Sequence, residues 1–419
     1  MSERENKLNQ KGLVFRARGH RRRRCAHRVA ARLDSRHLRT NNAMSGHSWP
    51  PPSLVMIWHS MDTPAHAYMY EQVVATLMDG FHSVSKPPVV VYGQGVRRRH
   101  SAAYQGNLST LRAGDALIWV GWGFADAATP WAELGQRGVR RVFYQCEPEH
   151  RCASRRVGRY AVDEMWDFAW HNLEACSSAP TAPLLRYVPL GAASMYALPT
   201  ERVPLPMVRP GALLFFGNVR DGPPRHACFK ELQGLLVGEK LTNTFRAWDD
   251  ESYQRLLREH AIWLNLHKGC GDAHNPITFR VCVLSASERV PLSASIIAIT
   301  FRVSVLSASE RPLSASDCLH HQVSKALLAG RLVLSERSHP KDEAEFAGLG
   351  ISFYDNMSAI ATAYEALVHS YSSFGPMGTG ALADATRRIR AFRRRFAPRL
   401  IFERAHVYRD WGMGASVAS

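Results

Sequence analysis

Short apolar runs alternate with amphipathic segments along the chain from about residue 53 onward. In the first part of this pattern, the apolar runs predict buried strands at Ser53–His59, Pro88–Tyr92, Ala116–Val120, Arg141–Gln145, Met165–Ala169 and Leu184–Val188. A helix is predicted between the first two strands, at Tyr68–Val84. Continuous apolar strands separated by helix-length segments are typical of a parallel sheet covered on both faces. The pattern therefore predicts an α/β, Rossmann-like layer.

A second alternation of the same kind follows a proline-rich segment. Residues 199–210 carry four prolines and no periodicity, which predicts a linker. Beyond the linker, strands are predicted at Ala212–Phe216, Ile262–His267, Arg331–Ser335 and Ile351–Tyr354, with helices at Arg225–Leu236, Asp250–His260 and Ser358–Val368. We therefore expect two Rossmann-like domains that face each other across a cleft. Ligands of such sheets bind beyond the carboxyl ends of the strands.

An internal repeat interrupts the second alternation. The segment Ile277–Ser295 recurs almost unchanged as Ile299–Ser316, at a spacing of 22 residues. Two copies are too few for a solenoid, which needs at least three stacked units. Removing the 42 residues Val281–Gln322 joins ITFR to VSKALLAGRLVLSE and restores a continuous loop, helix and strand. We therefore interpret the repeat as an insertion that forms a poorly ordered protrusion.

The predicted organisation has five parts. They are a disordered basic leader (1–52), a first Rossmann-like domain on the acceptor side (53–198), the linker (199–210), a second Rossmann-like domain on the donor side (211–370) with the inserted repeat (281–322), and a C-terminal arginine-rich helix and tail (371–419).

The positive charge of the chain lies at its two ends. The 419 residues carry a formal net charge of +17, of which residues 1–48 supply +10 and residues 378–419 supply +6, so the part between them is close to neutral at +1. A helix predicted at Ala385–Phe396 places Ala385, Ile389, Phe392 and Phe396 on one face, which favours docking against the body of the protein. No base-reading motif accompanies it, so no specific nucleic acid is expected. Contact of the basic ends with an anionic surface or polyanion stays open.

Four further features concern the compartment. No run approaches the roughly 18 apolar residues of a membrane span, so no transmembrane segment is expected. No apolar stretch follows the basic N-terminal residues, so we expect no secretory signal and a cytoplasmic protein. The arginine-rich leader equally fits an organelle transit peptide, a nucleic-acid arm or a misassigned start of the gene. The eight cysteines show no paired CxxC spacing, which predicts reduced thiols.

The segment Leu264–Arg280 is the richest in candidate chemistry. A buried strand is predicted to end at His267, so His267 and Lys268 would lie at the carboxyl edge of the second sheet. Asn275 and Arg280 follow in the next loop. Lys268 and Arg280 are suited to neutralise a diphosphate, and His267 to orient a hydroxyl or a leaving group.

Two other interpretations of this segment stay open. The loop residues also fit a connection whose histidines and asparagine only cap and turn the chain. His267, Cys270 and His274 also have the ligand types of a metal site, although their spacing is not the usual one for zinc.

Polar residues also follow two other strands of the second alternation. Gly217, Asn218 and Arg220 leave its first predicted strand, where a glycine lets the backbone approach a ligand. Ser335 and Glu336 end a later one, where Glu336 is suited to accept hydrogen bonds from a sugar or ribose diol. A plain strand-to-loop turn explains the glycine equally well. The Asp342–Glu343 pair that follows fits a helix cap.

In the first alternation, Glu147 follows a predicted strand. It would face the same cleft and is a candidate base on the acceptor side, while a solvated loop acid is the alternative. The chain has no GxxxxGK[ST] phosphate loop, no GxSxG nucleophile elbow, no HExxH zinc helix and no DxD. These absences argue against several nucleotide-binding, hydrolase and metal-dependent transferase classes.

The block LNLHK…ITFR…VSKALLAGRLVLSE…FYD, with LLFFGN, YQCEPE and EMWDFAWHN…YVPLG, resembles GT-B-type glycosyltransferase-like proteins, of the kind called glycosyltransferase group 1 or family 1. The resemblance covers most of residues 53–370, through short motifs. It implies two facing Rossmann-like domains and a nucleotide-sugar donor held mainly by the second. It implies no obligatory metal and no cofactor besides the donor, which is a substrate.

The resemblance also implies roles for individual residues. It places Gly217 and Asn218 by the donor phosphates, and Ser335 with Glu336 near the sugar or ribose. His267 and Arg280 would line the cleft. The chain departs from the family pattern at Ile277, where related sequences often have a glutamate, and by the insert immediately after Arg280.

Three hypotheses follow from the sequence. The first is a metal-independent, hexosyltransferase-like enzyme that moves a sugar from a nucleotide-sugar donor to an acceptor. The second is an inactive nucleotide- or glycan-binding protein on the same scaffold, which agrees with Ile277 and the insert. The third is polyanion binding through the basic ends.

Overall fold

The structure of the chain is a computed structural model. It describes residues 49–59, 64–84, 89–92, 107–121, 131–145, 162–177, 183–193, 213–217, 219, 223–236, 241–244, 250–266, 324, 326–372 and 379–413. The predicted linker and inserted repeat, and all but the last residues of the predicted leader, lie outside the described residues.

The first sheet is parallel and has six strands. They are β1 (Val55–His59), β2 (Val89–Tyr92), β3 (Ala116–Gly121), β4 (Arg140–Gln145), β5 (Glu164–Asp167) and β6 (Leu184–Tyr187), in the order β2-β1-β3-β4-β5-β6. The helices described with it are α1 (Pro64–His82), α2 (Trp131–Gln136) and α3 (Trp170–Ser177), with a short 3-10 helix at Leu108–Thr110. All six strands lie where the apolar runs predict them. We call the part of the chain that carries this sheet the first half.

The second sheet, in the part we call the second half, is also parallel. Its strands are β7 (Leu213–Phe216), β8 (Leu241–Thr244), β9 (Ile262–Asn265), β10 (Leu332–Glu336) and β11 (Ile351–Tyr354), in the order β11-β10-β9-β7-β8. Its helices include α4 (Pro223–Leu235), α5 (Asp250–Glu259), α6 (Pro340–Phe346) and α7 (Met357–Ser372). The hydrophobic pattern missed β8, because this edge strand is half-buried along its whole length and has the sequence LTNT.

In both sheets the strand order reverses once, which defines a topological switch point. In the first sheet the reversal lies between β1 and β3, which end at His59 and Gly121. In the second sheet it lies between β7 and β9, which end at Phe216 and Asn265. Crevices at such points, beyond the carboxyl ends of the strands, are where open α/β sheets bind ligands.

The last described helices are α8 (Thr379–Arg395), α9 (Pro398–Arg404) and α10 (Val407–Asp410). Helix α8 docks on the second half through Arg388, which donates to the carbonyl oxygens of Gly330 and Arg331 at 3.0 and 3.2 Å. Helix α9 then packs on α1 of the first half, where the Phe402 ring meets the Phe81 ring at 4.9 Å between centroids. The chain therefore returns to the first half after completing the second.

One apolar cluster connects the two sheets through these returning helices. It runs from Ile57 and Phe81 in the first half, through Phe392 and Phe402, to Trp263 in the second half. The predicted docking face of the arginine-rich helix is confirmed, since Ile389, Phe392 and Phe396 are fully buried. Each such buried side chain contributes about 1.5–3 kcal/mol to folding.

Cys176 in α3 and Cys228 in α4 each take part in a disulfide bond, so the expectation of reduced thiols is wrong for these two residues. Among the described helices, none is long and apolar enough to cross a membrane.

Candidate functional site at the carboxyl edges

Residues at or just after the carboxyl ends of strands from the two sheets meet at a junction between the halves. The backbone N–H of Trp170, the first residue of the helix after β5, donates to Asp342 Oδ1 over 3.4 Å. The hydroxyl of Tyr187, at the end of β6, donates to the same oxygen over 3.5 Å. Asp342 lies in the first turn of α6, which follows β10. Because all these segments leave carboxyl ends of strands, the carboxyl edges of the two sheets face each other here.

Charged side chains surround this contact. Glu174 of α3 accepts hydrogen bonds from Lys341 Nζ at 2.6 Å and from His339 Nε2 at 3.0 Å. The Lys341 ammonium lies 4.8 Å from the centroid of the Trp170 ring, whose own stacking partner is Tyr187 at 4.5 Å. His339 Nδ1 accepts a hydrogen bond from the Lys341 amide, so the Nε2 of His339 carries a hydrogen and donates to Glu174 Oε2. The exposed ion pair of Lys341 with Glu174 contributes about 0–1 kcal/mol.

Asp342 differs from the charged groups around it because it is fully buried. Burial raises the pKa of its carboxyl to about 8, although the hydrogen bond from the Trp170 amide opposes the shift. The nearby carboxylates of Glu345 and Glu174 raise this pKa further. Its second oxygen, Oδ2, has no hydrogen-bond partner among the described residues. An uncharged carboxyl is thus the favoured form of Asp342 at neutral pH.

Asp167 organises the first-half side of the junction. It is fully buried at the end of β5, and its Oδ1 accepts hydrogen bonds from the Ala169 amide at 2.9 Å and from Asn172 Nδ2 at 3.3 Å. Its Oδ2 accepts from Gln145 Nε2 at 2.8 Å. Burial raises the pKa of Asp167 well above its usual value, against the effect of these bonds. These hydrogen bonds hold the first turn of α3 against the end of β5.

A buried polar chain lies at the carboxyl edge of the second sheet. Asn265 Nδ2, at the end of β9, donates to Ser335 Oγ of β10 at 2.9 Å, and Ser335 Oγ donates to the Glu336 carbonyl at 2.9 Å. Ser335 is fully buried, and its hydroxyl is used in both of these hydrogen bonds. Glu336, a predicted diol acceptor, is 4% exposed at the end of the strand. Burial, followed by the charge of Glu336, raises the pKa of the neighbouring Tyr354 well above its usual value.

Gly217 lies beside the switch point of the second sheet. Its N–H donates to the Thr244 carbonyl at 2.8 Å, and its carbonyl accepts from Asn243 Nδ2 at 2.6 Å. Both backbone polar groups are therefore used within the sheet, as a strand-to-loop turn requires. The missing side chain remains the feature that would admit a ligand close to the backbone.

The other predicted site residues lie outside the described residues. They are His267, Lys268, Asn275, Arg280, Asn218, Arg220 and Glu147. The same holds for Cys270 and His274 of the alternative metal site. Within the described ranges, no group of three histidine, cysteine or carboxylate side chains is arranged to hold a metal ion.

Sequence reasoning missed the residues that join the two halves. It treated Asp342 only as a helix cap, and it assigned no role to Asp167 or Asn265. Asp167 and Asn265 are the polar residues that end the buried strands β5 and β9. This position in the sequence could have identified both as candidate site residues. His59 is also a polar residue that ends a buried strand, β1, beside the switch point of the first sheet. It is therefore a further candidate for a ligand-binding residue.

The arginine-rich C-terminal part uses much of its charge internally. Arg395 Nη1 donates to the carbonyls of Glu345 and Ala347 at 2.6 and 2.8 Å, which closes the C-terminal end of α6. The arginines that pair with carboxylates are Arg387 and Arg388 with Asp384, Arg399 with Glu403, Arg404 with Glu345, and Arg409 with Asp410. Arg388, Arg395 and Arg404 therefore bond to other segments of the chain, whereas the remaining pairs lie within single helices. Polyanion binding stays a prediction.

Comparison with known proteins gives likenesses of fold. No family model and no curated protein matches the chain. Among solved structures, it is similar to a glycosyltransferase from Rickettsia africae ESF-5 (8% identity, TM-score 0.45, 86% of this chain and 98% of that chain covered). It is also similar to Alr3699/HepE of Anabaena in complex with UDP-glucose (10%, 0.44, 84% and 98%). A third is a putative UDP-N-acetylglucosamine 2-epimerase from Listeria monocytogenes (9%, 0.40, 88% and 98%).

At these identities the likenesses carry no residue role over to this chain. Its own strand order and contacts define its architecture. Two parallel Rossmann-like sheets, joined at their carboxyl edges and bridged by a returning C-terminal helix, give the chain a GT-B-like fold.

Proposed function

We propose that the chain binds a nucleotide sugar between its two facing carboxyl edges and transfers the sugar to an acceptor hydroxyl. The observation that carries the proposal is the junction itself. The contacts of Asp342 with Trp170 and Tyr187 bring the carboxyl edge of one sheet against that of the other. A ligand bound at the switch point of either sheet would then be within reach of residues from both.

The second half is the proposed donor side. Its switch point lies between β7 and β9, and the segments that leave these two strands contain Gly217 and His267. Lys268 and Arg280, in the same stretch as His267, supply positive charge for a departing diphosphate. The sequence resemblance supports the same assignment.

The proposed catalysis rests on positioning and electrostatics. His267 would orient the reacting hydroxyl or the leaving group, and Glu147 from the first half would act as the acceptor-side base. Glu336 would accept hydrogen bonds from the sugar or ribose diol. Asn265 and Ser335 would act indirectly, since their buried hydrogen bonds fix the end of the strand that presents Glu336.

The test is a screen of UDP-, GDP- and ADP-linked sugars against the full chain, with thermal stabilisation and sugar release or transfer as the two readouts. We expect one donor to raise the melting temperature and to be consumed. His267→Ala should abolish consumption. The matched control is His369→Ala, because His369 is an exposed residue in the last turn of α7.

A second form of the protein, lacking Val281–Gln322, separates the hypotheses. Donor binding without turnover in both forms would favour the inactive binding protein that Ile277 and the insert suggest. No binding and no turnover of any donor in either form would contradict the proposal. An epimerised sugar nucleotide as the product would also contradict it.

A further inference from the structure

We propose that Asp342 is a proton-controlled latch that holds α6 of the second half against α3 of the first half. The latch needs no bound ligand, so it stands or falls independently of the proposed transferase activity. It would set how readily the two carboxyl edges separate.

The geometry places Asp342, which is fully buried, at the contact between the two halves. Its own helix belongs to the second half, while both of its hydrogen-bond donors, the Trp170 amide and the Tyr187 hydroxyl, belong to the first. Separation of the halves would expose the carboxyl to water. It would also break the surrounding contacts of Glu174 with His339 and Lys341.

The groups that face Asp342 include charges of both signs. Glu174 of α3 and Glu345 of α6 both disfavour its ionised form. Asp167, at the end of β5, is close enough that the charge of Asp342 raises the pKa of Asp167. Lys341 and His339 are directed to Glu174 rather than to Asp342. The hydrogen bonds of Asp167 stay within the first half, so its ionisation would not break the latch directly.

The sign of the pH dependence follows from the two states of the carboxyl. In the closed form burial raises the pKa of Asp342 to about 8, whereas in an open form the carboxyl would titrate near its usual value of 3.8. Between these values the closed form holds about one more proton than the open form. Closure is therefore strongest at low pH and weakens as pH rises, by about tenfold per pH unit until the closed-form pKa is reached.

The test is amide hydrogen exchange on the full chain without ligand at pH 6, 7 and 8, corrected for the intrinsic pH dependence of exchange. The readout is the protection of Trp170–Ser177 relative to the core strand Ala116–Gly121. We expect this ratio to fall by about 50-fold from pH 6 to pH 8. In Asp342→Asn, which removes the titrating group, the ratio should be independent of pH. The control Glu365→Gln, at an exposed position in α7, should behave as the unmodified protein.

A second variant keeps the test decisive if Asp342→Asn does not fold. The Tyr187 hydroxyl stabilises the ionised form of Asp342. Tyr187→Phe should therefore raise the pKa of Asp342 in the closed form. The protection ratio should then continue to fall up to a higher pH than in the unmodified protein. A pH-independent ratio in the unmodified protein would overturn the latch. So would an unchanged pH dependence in Asp342→Asn, or an unmoved or lowered transition in Tyr187→Phe.

Discussion

Replacing Arg186 by methionine is expected to cost the protein about 3–5 kcal/mol of unfolding free energy. Arg186, on β6, donates from Nε to Glu164 Oε2 at 2.6 Å and from Nη1 to the Ala405 carbonyl at 2.7 Å. The same Nη1 donates to Asp410 at 2.9 Å. A single side chain thus fastens the returning helices α9 and α10 to the first sheet.

The magnitude follows from the burial of the ion pair. The side chains of Arg186 and Glu164 are 3% and 4% exposed. Burial alone would raise the pKa of Glu164, but the charge and hydrogen bond of Arg186 outweigh it and hold the pKa below its usual value. Without the arginine, Glu164 would keep the Trp166 and Trp411 indoles as donors and lose its closest cation. Leaving one member of a buried pair uncompensated costs about 3–5 kcal/mol.

The measurement is urea unfolding followed by tryptophan fluorescence, with free energies obtained by linear extrapolation. Arg399→Met is the matched control, because Arg399 pairs with Glu403 on the exposed surface of α9 and should contribute less than about 1 kcal/mol. The double variant Arg186→Met with Glu164→Gln should lose at least about 1 kcal/mol less than the sum of the single losses. A loss in Arg186→Met no larger than in Arg399→Met would refute the reasoning.

Two further substitutions test the packing and the polar edge. Gly80→Ala would place a methyl carbon 2.6 Å from a ring carbon of Phe402, so we expect a loss of about 1–3 kcal/mol by thermal unfolding, whereas Gly234→Ala meets nothing within 4 Å and should be neutral or stabilising. Asn265→Ala removes the amide that donates to Ser335 and should cost about 1–3 kcal/mol in urea unfolding. Unchanged stability in Asn265→Ala would show that the bond between β9 and β10 is dispensable.

Most strands of the fold were predictable because they are buried on both faces. Runs such as LVMIW and ALIWV are apolar throughout, and this property identifies a central parallel strand without any periodicity. The hydrophobic pattern failed at Leu241–Thr244, whose edge position leaves all its residues half-buried. It also failed at α9 and α10, which have only seven and four residues and so show too few turns for an amphipathic period.

The candidate site was predictable only in part, for a different reason. A polar residue after a buried strand marks the carboxyl edge, which is why Gly217, Ser335 and Glu336 could be named from the sequence. What those residues bond to depends on neighbouring strands that are remote in the chain. The hydroxyl of Ser335 is taken by Asn265, 70 residues earlier. The junction of Asp342 with Trp170 depends on a contact across 172 residues, which no local pattern contains.

The return of the chain to the first half has a consequence for biosynthesis. The apolar surface of α1 around Phe81 is covered by Phe402 and Trp411, which are translated more than 200 residues after the last strand of the first sheet. At about 5–20 residues per second, roughly 10–40 s pass between the two events. The first half therefore cannot complete its core as it leaves the ribosome. During that interval, chaperones that bind exposed aromatic surface would have a well-defined target on this chain.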